Sequence, residues 1–223
     1  MNIDAVFQGL LNLDTTWVLW LLVGLSVFAV AVIIERIAFF CSTRADSARL
    51  RAELNAGLSQ SDPSRMKRSL SQSRSVEARI VGAGVGASCP EEAAERMAAE
   101  AGMQRLRSER NLAFLGTLGN NAPFIGLLGT VIGIIGAFKQ LNTSGGQLTT
   151  GLMAAIGEAL VATAVGILVA LPAVAAYNAF QRAIQVRLSL GDVLGRELLA
   201  HLHALAQGVS PRPLAETPAK AGE

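Results

Sequence analysis

The sequence is poor in charge. Only 16% of its 223 residues are Asp, Glu, Lys or Arg, while 51% are hydrophobic. Soluble domains average about 25% charged residues, so the shortfall is of the kind that membrane spans produce. Aromatic residues are scarce at 5%, whereas glycine numbers 22. A core with few rings and many small residues suits helices packed closely in lipid. Histidine and cysteine are nearly absent: His201, His203, Cys41 and Cys89 are all there are. They form no CxxC and no ligand cluster, so neither a metal site nor a structural disulfide is expected, and the thiols read as reduced and incidental. No Ser/His/Asp set or phosphate-binding loop occurs, so the chain does not read as an enzyme and no cofactor is expected. The net charge of +2 gives no reason to expect nucleic acid as a partner. Residues 1–16 contain no Lys or Arg. With the long apolar run that follows, this argues against a secretory signal peptide.

What is present is three long apolar runs. A bilayer core takes roughly 20 mostly apolar residues as helix. The first run, 17–40, has no charge before Glu35 and Arg36; the second, 112–138, has none at all; the third, from Gly151 to about Ala179, has one, Glu158. Lys and Arg are distributed unevenly around them. Residues 41–111 hold twelve, the link 139–150 one, and the tail 181–223 five. The positive-inside rule then places the N-terminus and the link outside, and the 41–111 loop and the tail in the cytoplasm.

Spans two and three exceed the hydrocarbon thickness, because 27 to 29 residues reach about 40 Å against about 30 Å. They are expected to continue as rods into the cytoplasm. The stretch 88–111 starts a helix at Pro90, with Cys89 or Ser88 as cap and acids in the first turn. It is expected to run on into span two with Gly102 as its one weak point. Beyond span three, Ile184, Leu188, Val193, Leu198, Leu202 and Leu205 give a helical pattern with Gly191 and Gly195 as weak points. Leu50, Leu54 and Leu58 recur at steps of four and predict a further cytoplasmic helix. Residues 2–13 read as an amphipathic helix on the outer membrane surface, and 208–223 as a disordered tail.

The polar residues inside the spans carry the functional content. A carboxylate in hydrocarbon costs at least about 2.5–3.5 kcal/mol on insertion scales. Three situations would accommodate Glu158: an ion pair with Lys139, a place in an outer vestibule, or a titrating role on an ion path. Thr130 and Thr163 offer hydroxyls that could pass on a proton, or could bond back to their own helices. Pro123 and Pro172 withhold N–H groups from Gly119 and Leu168 and predict bends. Gly126, Gly129, Gly133 and Gly136, with Ala155, Ala159, Ala162, Gly166 and Ala170, form small-residue rows that let helix backbones approach.

The segments APFIGLLGTVIGIIGAF (122–138) and IGEALVATAVGILVALPAVAAYN (156–178) resemble the signature segments of the ExbB/TolQ/MotA proton-channel family, closest to its ExbB and TolQ branch. The resemblance implies a ring-forming homo-oligomer, commonly a pentamer, in the bacterial inner membrane. The ring surrounds one-span ExbD/TolR-like partners whose membrane helix carries an aspartate, and proton flow would drive work on a periplasmic or outer-membrane apparatus. That apparatus could serve TonB-dependent import, the Tol-Pal system or gliding motility, through TonB/TolA-like or motility proteins. It further implies that Thr130 and Thr163 are ring threonines facing the partner aspartate, that Glu158 is the pore-region glutamate, and that Pro123 and Pro172 bend the helices. The small-residue rows themselves read as the wall of a narrow lumen, with Gly129 and Gly133 as lining positions. Positions 158 and 163 are about 140° apart on a helix. Thr163 is therefore the expected partner-facing position, with Glu158 at the pore's edge or between subunits.

The expected organisation is all-α with three transmembrane helices. Residues 1–16 form a periplasmic interfacial helix, 17–40 span one, 41–111 a cytoplasmic helical loop and 112–140 span two. Residues 141–150 form a short periplasmic link, 151–180 span three, 181–207 a cytoplasmic extension and 208–223 the tail. A non-conducting membrane scaffold that assembles a one-span partner is the competing expectation.

Overall fold

A computed structural model describes residues 16–43, 47–59, 63–143, 145, 147 and 149–208. The expected interfacial helix at 2–13 and residues 209–223 of the expected tail lie outside the described residues. The regular structure is helical: α1 (Thr16–Ser42), α2 (Ser47–Ser59), α3 (Pro63–Gln72), α4 (Val76–Gly84), α5 (Pro90–Glu109), α6 (Leu112–Thr143) and α7 (Thr150–Ala206). Three of these, α1, α6 and α7, are long and apolar enough to cross a membrane. Helix α6 carries six glycines and Pro123, a composition that would form a poor helix in water. In lipid each backbone group must find its partner within the segment, which enforces the helix despite weak propensity.

The chain divides into two compact units. One comprises α1 to Arg36, α6, and α7 to Phe180. Its outward faces are large and apolar, with Trp20, Val27, Phe28, Phe124, Leu160, Leu168 and Leu171 exposed. Its inner contacts are made by small residues. A Cβ added to Gly126 would lie 2.7 Å from the Ala162 carbonyl oxygen, and one on Gly166 would lie 2.7 Å from that of Ala122. These two helices therefore meet backbone to backbone, the close approach that their small-residue rows predict. Phe28 of α1 packs edge-on against Phe114 of α6 at 4.5 Å between ring centroids.

The other unit comprises residues 37–110 and 181–208 of the described chain. Its core is Leu50, Leu54 and Leu58 of α2, Met66 and Leu70 of α3, Ile80 and Val81 of α4, Met97 of α5, and Leu194 and Leu198 of α7. Each fully buried leucine contributes roughly 1.5–3 kcal/mol. Gly191 and Gly195, expected as weak points, lie inside the continuous helix α7. Their missing side chains give room to Ile80 and Met97, whose atoms would sit 2.7 Å and 3.1 Å from an added Cβ. Packing outweighs the low propensity of glycine.

Local signals explain the helix ends. Ser75 caps α4 by accepting from the Ala78 N–H at 3.2 Å. Helix α5 begins with Cys89 at the cap position and Pro90 as first residue, but the Cys89 side chain makes no capping bond. Glu92 instead reaches back to accept from the Ser88 N–H at 2.7 Å. The expectation of an unbroken helix from Pro90 into span two is corrected. The chain breaks at Arg110 and Asn111, and Asn111 adopts φ 62°. Asparagine is among the few non-glycine residues that tolerate this left-handed conformation, and its side chain donates to Glu35 at 3.4 Å.

Candidate functional site

Helices α6 and α7 run antiparallel in register, with Gly116 against Tyr177, Gly119 against Val174, and Gly126 against Ala162, Thr163 and Gly166. Gly129 lies against Ala162 of α7 and also against Val18 of α1. On this register Thr130 falls between the levels of Glu158 and Thr163. The structure thus brings the three expected ion-path residues into one short section of the pair, on different faces.

Thr130 is buried, 8% exposed, and its hydroxyl donates to the Leu127 carbonyl at 2.7 Å. This is back-bonding to its own helix, which satisfies a hydroxyl among apolar neighbours. Thr163 differs. Its hydroxyl oxygen is buried and has no hydrogen-bond partner among the described residues. A buried hydroxyl without a partner carries a desolvation cost of about 1–3 kcal/mol, which an external donor or acceptor would relieve. Glu158 is exposed and accepts from the Thr16 hydroxyl at 3.4 Å. Pairing with Lys139 does not occur among the described residues; the contact comes from α1 instead. Nothing in the sequence links positions 16 and 158, so this neighbour was not legible beforehand.

Of the expected bend and lining positions, Gly129 and Gly133 are buried and Pro123 and Pro172 lie inside their helices. Gly129 is a contact point between three helices. Its added Cβ would come within 2.7 Å of the Ala162 Cβ and 3.2 Å of a Val18 methyl.

At the far end of α1 sits a second polar group. Arg36 is 3% exposed and grips the Glu35 carboxylate through two nitrogens at 2.5 and 2.9 Å. Two-point contact of this kind orients both partners. In the other unit Arg187 donates to the Phe40 carbonyl at 2.8 Å and to the Thr43 hydroxyl at 2.6 Å, and stacks over the Phe40 ring at 4.9 Å. A cation on the last carbonyls of a helix satisfies acceptors that have no partner within it. Glu77 is also buried, and burial pushes its carboxyl above the ordinary 4.5, against the opposing influence of Arg187. Sequence reasoning missed both residues.

Residues 66–190 match the MotA/TolQ/ExbB proton channel family. An ExbB-like biopolymer transport protein of Helicobacter pylori is 36% identical over 100 residues, which is 45% of this chain and 67% of that protein. The Tol-Pal system protein TolQ of Pseudomonas aeruginosa is 39% identical over 95 residues, 43% of this chain and 41% of that one. The biopolymer transport protein ExbB of Neisseria gonorrhoeae is 41% identical over 101 residues, 45% of each. The aligned part of the chain thus spans less than half the length of the TolQ and ExbB relatives. The family match takes in α6, the membrane part of α7 and the helices α4 and α5 that precede them. On that match, over more than half its length, the chain belongs to the MotA/TolQ/ExbB proton channel family, in its ExbB/TolQ branch.

Proposed function

We propose that this protein is a proton-conducting motor subunit of the bacterial inner membrane. Five copies form a ring around the single membrane helices of ExbD/TolR-like partners. The N-terminus and the α6–α7 link face the periplasm, and the 41–111 loop and the C-terminal tail face the cytoplasm. The uneven distribution of Lys and Arg supports this orientation.

The observation that carries the reading is the Thr163 hydroxyl, buried and without a partner on a helix wall of small residues. A partner carboxyl brought against this face would supply the missing hydrogen bond once the Thr163 side chain turns out from its covered position. When protonated it is neutral and can pass the apolar wall; when ionised it is held back by the cost of entering hydrocarbon. Glu158, near the outer end of α1, then serves as the acid through which protons reach the partner from the periplasmic side. Thr16 makes a long hydrogen bond to one of its oxygens. Proton flow would turn partner and ring against each other and deliver work to a TonB-dependent, Tol-Pal or gliding apparatus. The TolQ relative is named for the Tol-Pal system and the ExbB relative for biopolymer transport.

The test is proton flux into vesicles containing the protein copurified with its one-span partner. Flux that disappears when the partner's membrane aspartate becomes asparagine supports conduction. No flux from either complex supports the non-conducting scaffold, and equal flux from both would show a path that does not use the partner aspartate.

A further inference from the structure

Helix α6 carries a polar strip that none of the ion-path residues uses. Thr117, Asn120 and Asn121 are exposed, while Leu118, Gly119, Ala122 and Gly126 are buried on the opposite side of the same helix. The depth of the strip is set by two contacts in one unit. Phe114 packs on Phe28, and Gly129 lies against Val18. Asn120 and Asn121 fall between Phe114 and Gly129, so they lie level with the middle of the Val18–Phe28 stretch of α1. That stretch is uncharged, and Trp20, Val23, Val27 and Phe28 in it are exposed as a lipid-facing surface would be. The two carboxamides are therefore at hydrocarbon depth and turned away from the rest of their own chain.

Their hydrogen bonds are incomplete. Thr117 donates to the Ala113 carbonyl at 2.9 Å, and the Asn121 nitrogen donates to the Thr117 carbonyl at 2.7 Å. The Asn121 carbonyl oxygen and the whole Asn120 amide have no partner among the described residues. Each amide offers two donors and two acceptor sites, which hydrocarbon cannot satisfy. A dry contact with another copy does not satisfy them either. In a cyclic ring each copy meets its neighbour through two different faces, so the strip does not meet itself. Among the described residues, the other exposed large side chains level with the two asparagines are apolar, Leu21, Val23 and Val27 on α1 and Leu168 and Leu171 on α7, while the exposed Asn178 lies farther toward the cytoplasmic end, level with Leu115.

We propose that the Thr117–Asn120–Asn121 face is a water-filled site in the assembled ring, open to the cytoplasmic side, which holds water and hydrated protons at mid-membrane depth. Small polar side chains without charge suit this role, since they order water without trapping an ion. The inference rests on the ring described above. Ring failure and hydration failure are separable, because oligomer mass reports the first and labelling the second.

The experiment is cysteine labelling of the full chain with its partner in inside-out membrane vesicles. Cys41 and Cys89, both exposed, are first replaced by serine. Asn120→Cys, Asn121→Cys and Thr117→Cys are compared with Val27→Cys, which lies on α1 near the level of Thr117 and closer to the cytoplasmic end than the two asparagines. A membrane-impermeant thiol reagent added from the cytoplasmic face is expected to modify at least two of the three strip cysteines about tenfold faster than Val27→Cys. Strip cysteines in an intact ring that react no faster than Val27→Cys would overturn the proposal. So would oxidative cross-linking of Asn120→Cys between copies without labelling, the mark of a dry strip-on-strip contact.

Discussion

Replacing Gly126 by alanine tests how tightly the membrane unit is built. The new methyl would lie 2.7 Å from the Ala162 carbonyl oxygen, 3.0 Å from Thr163 Cα and 3.2 Å from Gly166 Cα. All three are backbone atoms and cannot rotate aside. To restore an ordinary 3.4 Å contact with the carbonyl, α6 and α7 must separate by 0.7 Å, the difference between 3.4 and 2.7 Å. A gap of 0.5–1 Å forfeits a quarter to a half of each dispersion contact along the affected section. Overpacking of this kind costs about 1–3 kcal/mol, which for a chain of this size lowers the melting temperature by roughly 2–12 °C. Gly136→Ala is the control, since nothing lies within 4 Å of its added Cβ. It reports the helix-propensity gain alone. The assay is thermal melting of the detergent-purified protein by circular dichroism. A melting temperature for Gly126→Ala equal to or above that of Gly136→Ala would refute backbone-to-backbone packing of these helices.

Two further predictions concern the other unit. Arg187→Ala removes hydrogen bonds to Phe40 and Thr43 and the stacking over Phe40. It should destabilise the protein by about 2–4 kcal/mol in chemical denaturation, because charged hydrogen bonds are lost and buried acceptors are left unpaired. Glu77 titrates above its ordinary 4.5 because burial disfavours its charged form. The folded state therefore keeps this proton to higher pH than the unfolded chain, so its stabilising contribution is complete below about 4.5 and is lost as pH rises through the folded value. Glu77→Gln should flatten the decline in melting temperature between mildly acidic and neutral pH; an unchanged slope would show that another group governs it.

How far the sequence reveals this protein depends on the range of each interaction. The three spans were legible because an uncharged run of some 20 residues has few other homes. The core of the second unit was legible in part, since Leu50, Leu54 and Leu58 recur at one helical step and all three are buried. The break at Asn111 was not, because the surrounding residues contain neither proline nor glycine, and only asparagine's tolerance of positive φ marks the spot. Gly191 and Gly195 misled for the converse reason: tertiary packing on Ile80 and Met97 decides their place. At the candidate site, residue types pointed to Glu158, Thr130 and Thr163. The Thr16 contact to Glu158 spans 142 positions, and the Arg187 bonds to Phe40 and Thr43 span 147 and 144. No periodicity reports contacts at that separation. That Thr130 bonds back to its own helix while Thr163 does not is likewise set by local side-chain geometry, which spacing does not encode.

The central claim is that protons pass through the section of α6 and α7 that holds Glu158 and Thr163. Its most direct measurement is proton flux through the reconstituted complex carrying Glu158→Ala or Thr163→Val, with ring assembly checked by mass. The expected result is an intact ring in both variants with flux reduced to background. Intact rings that conduct at the unsubstituted rate in both variants would contradict the claim.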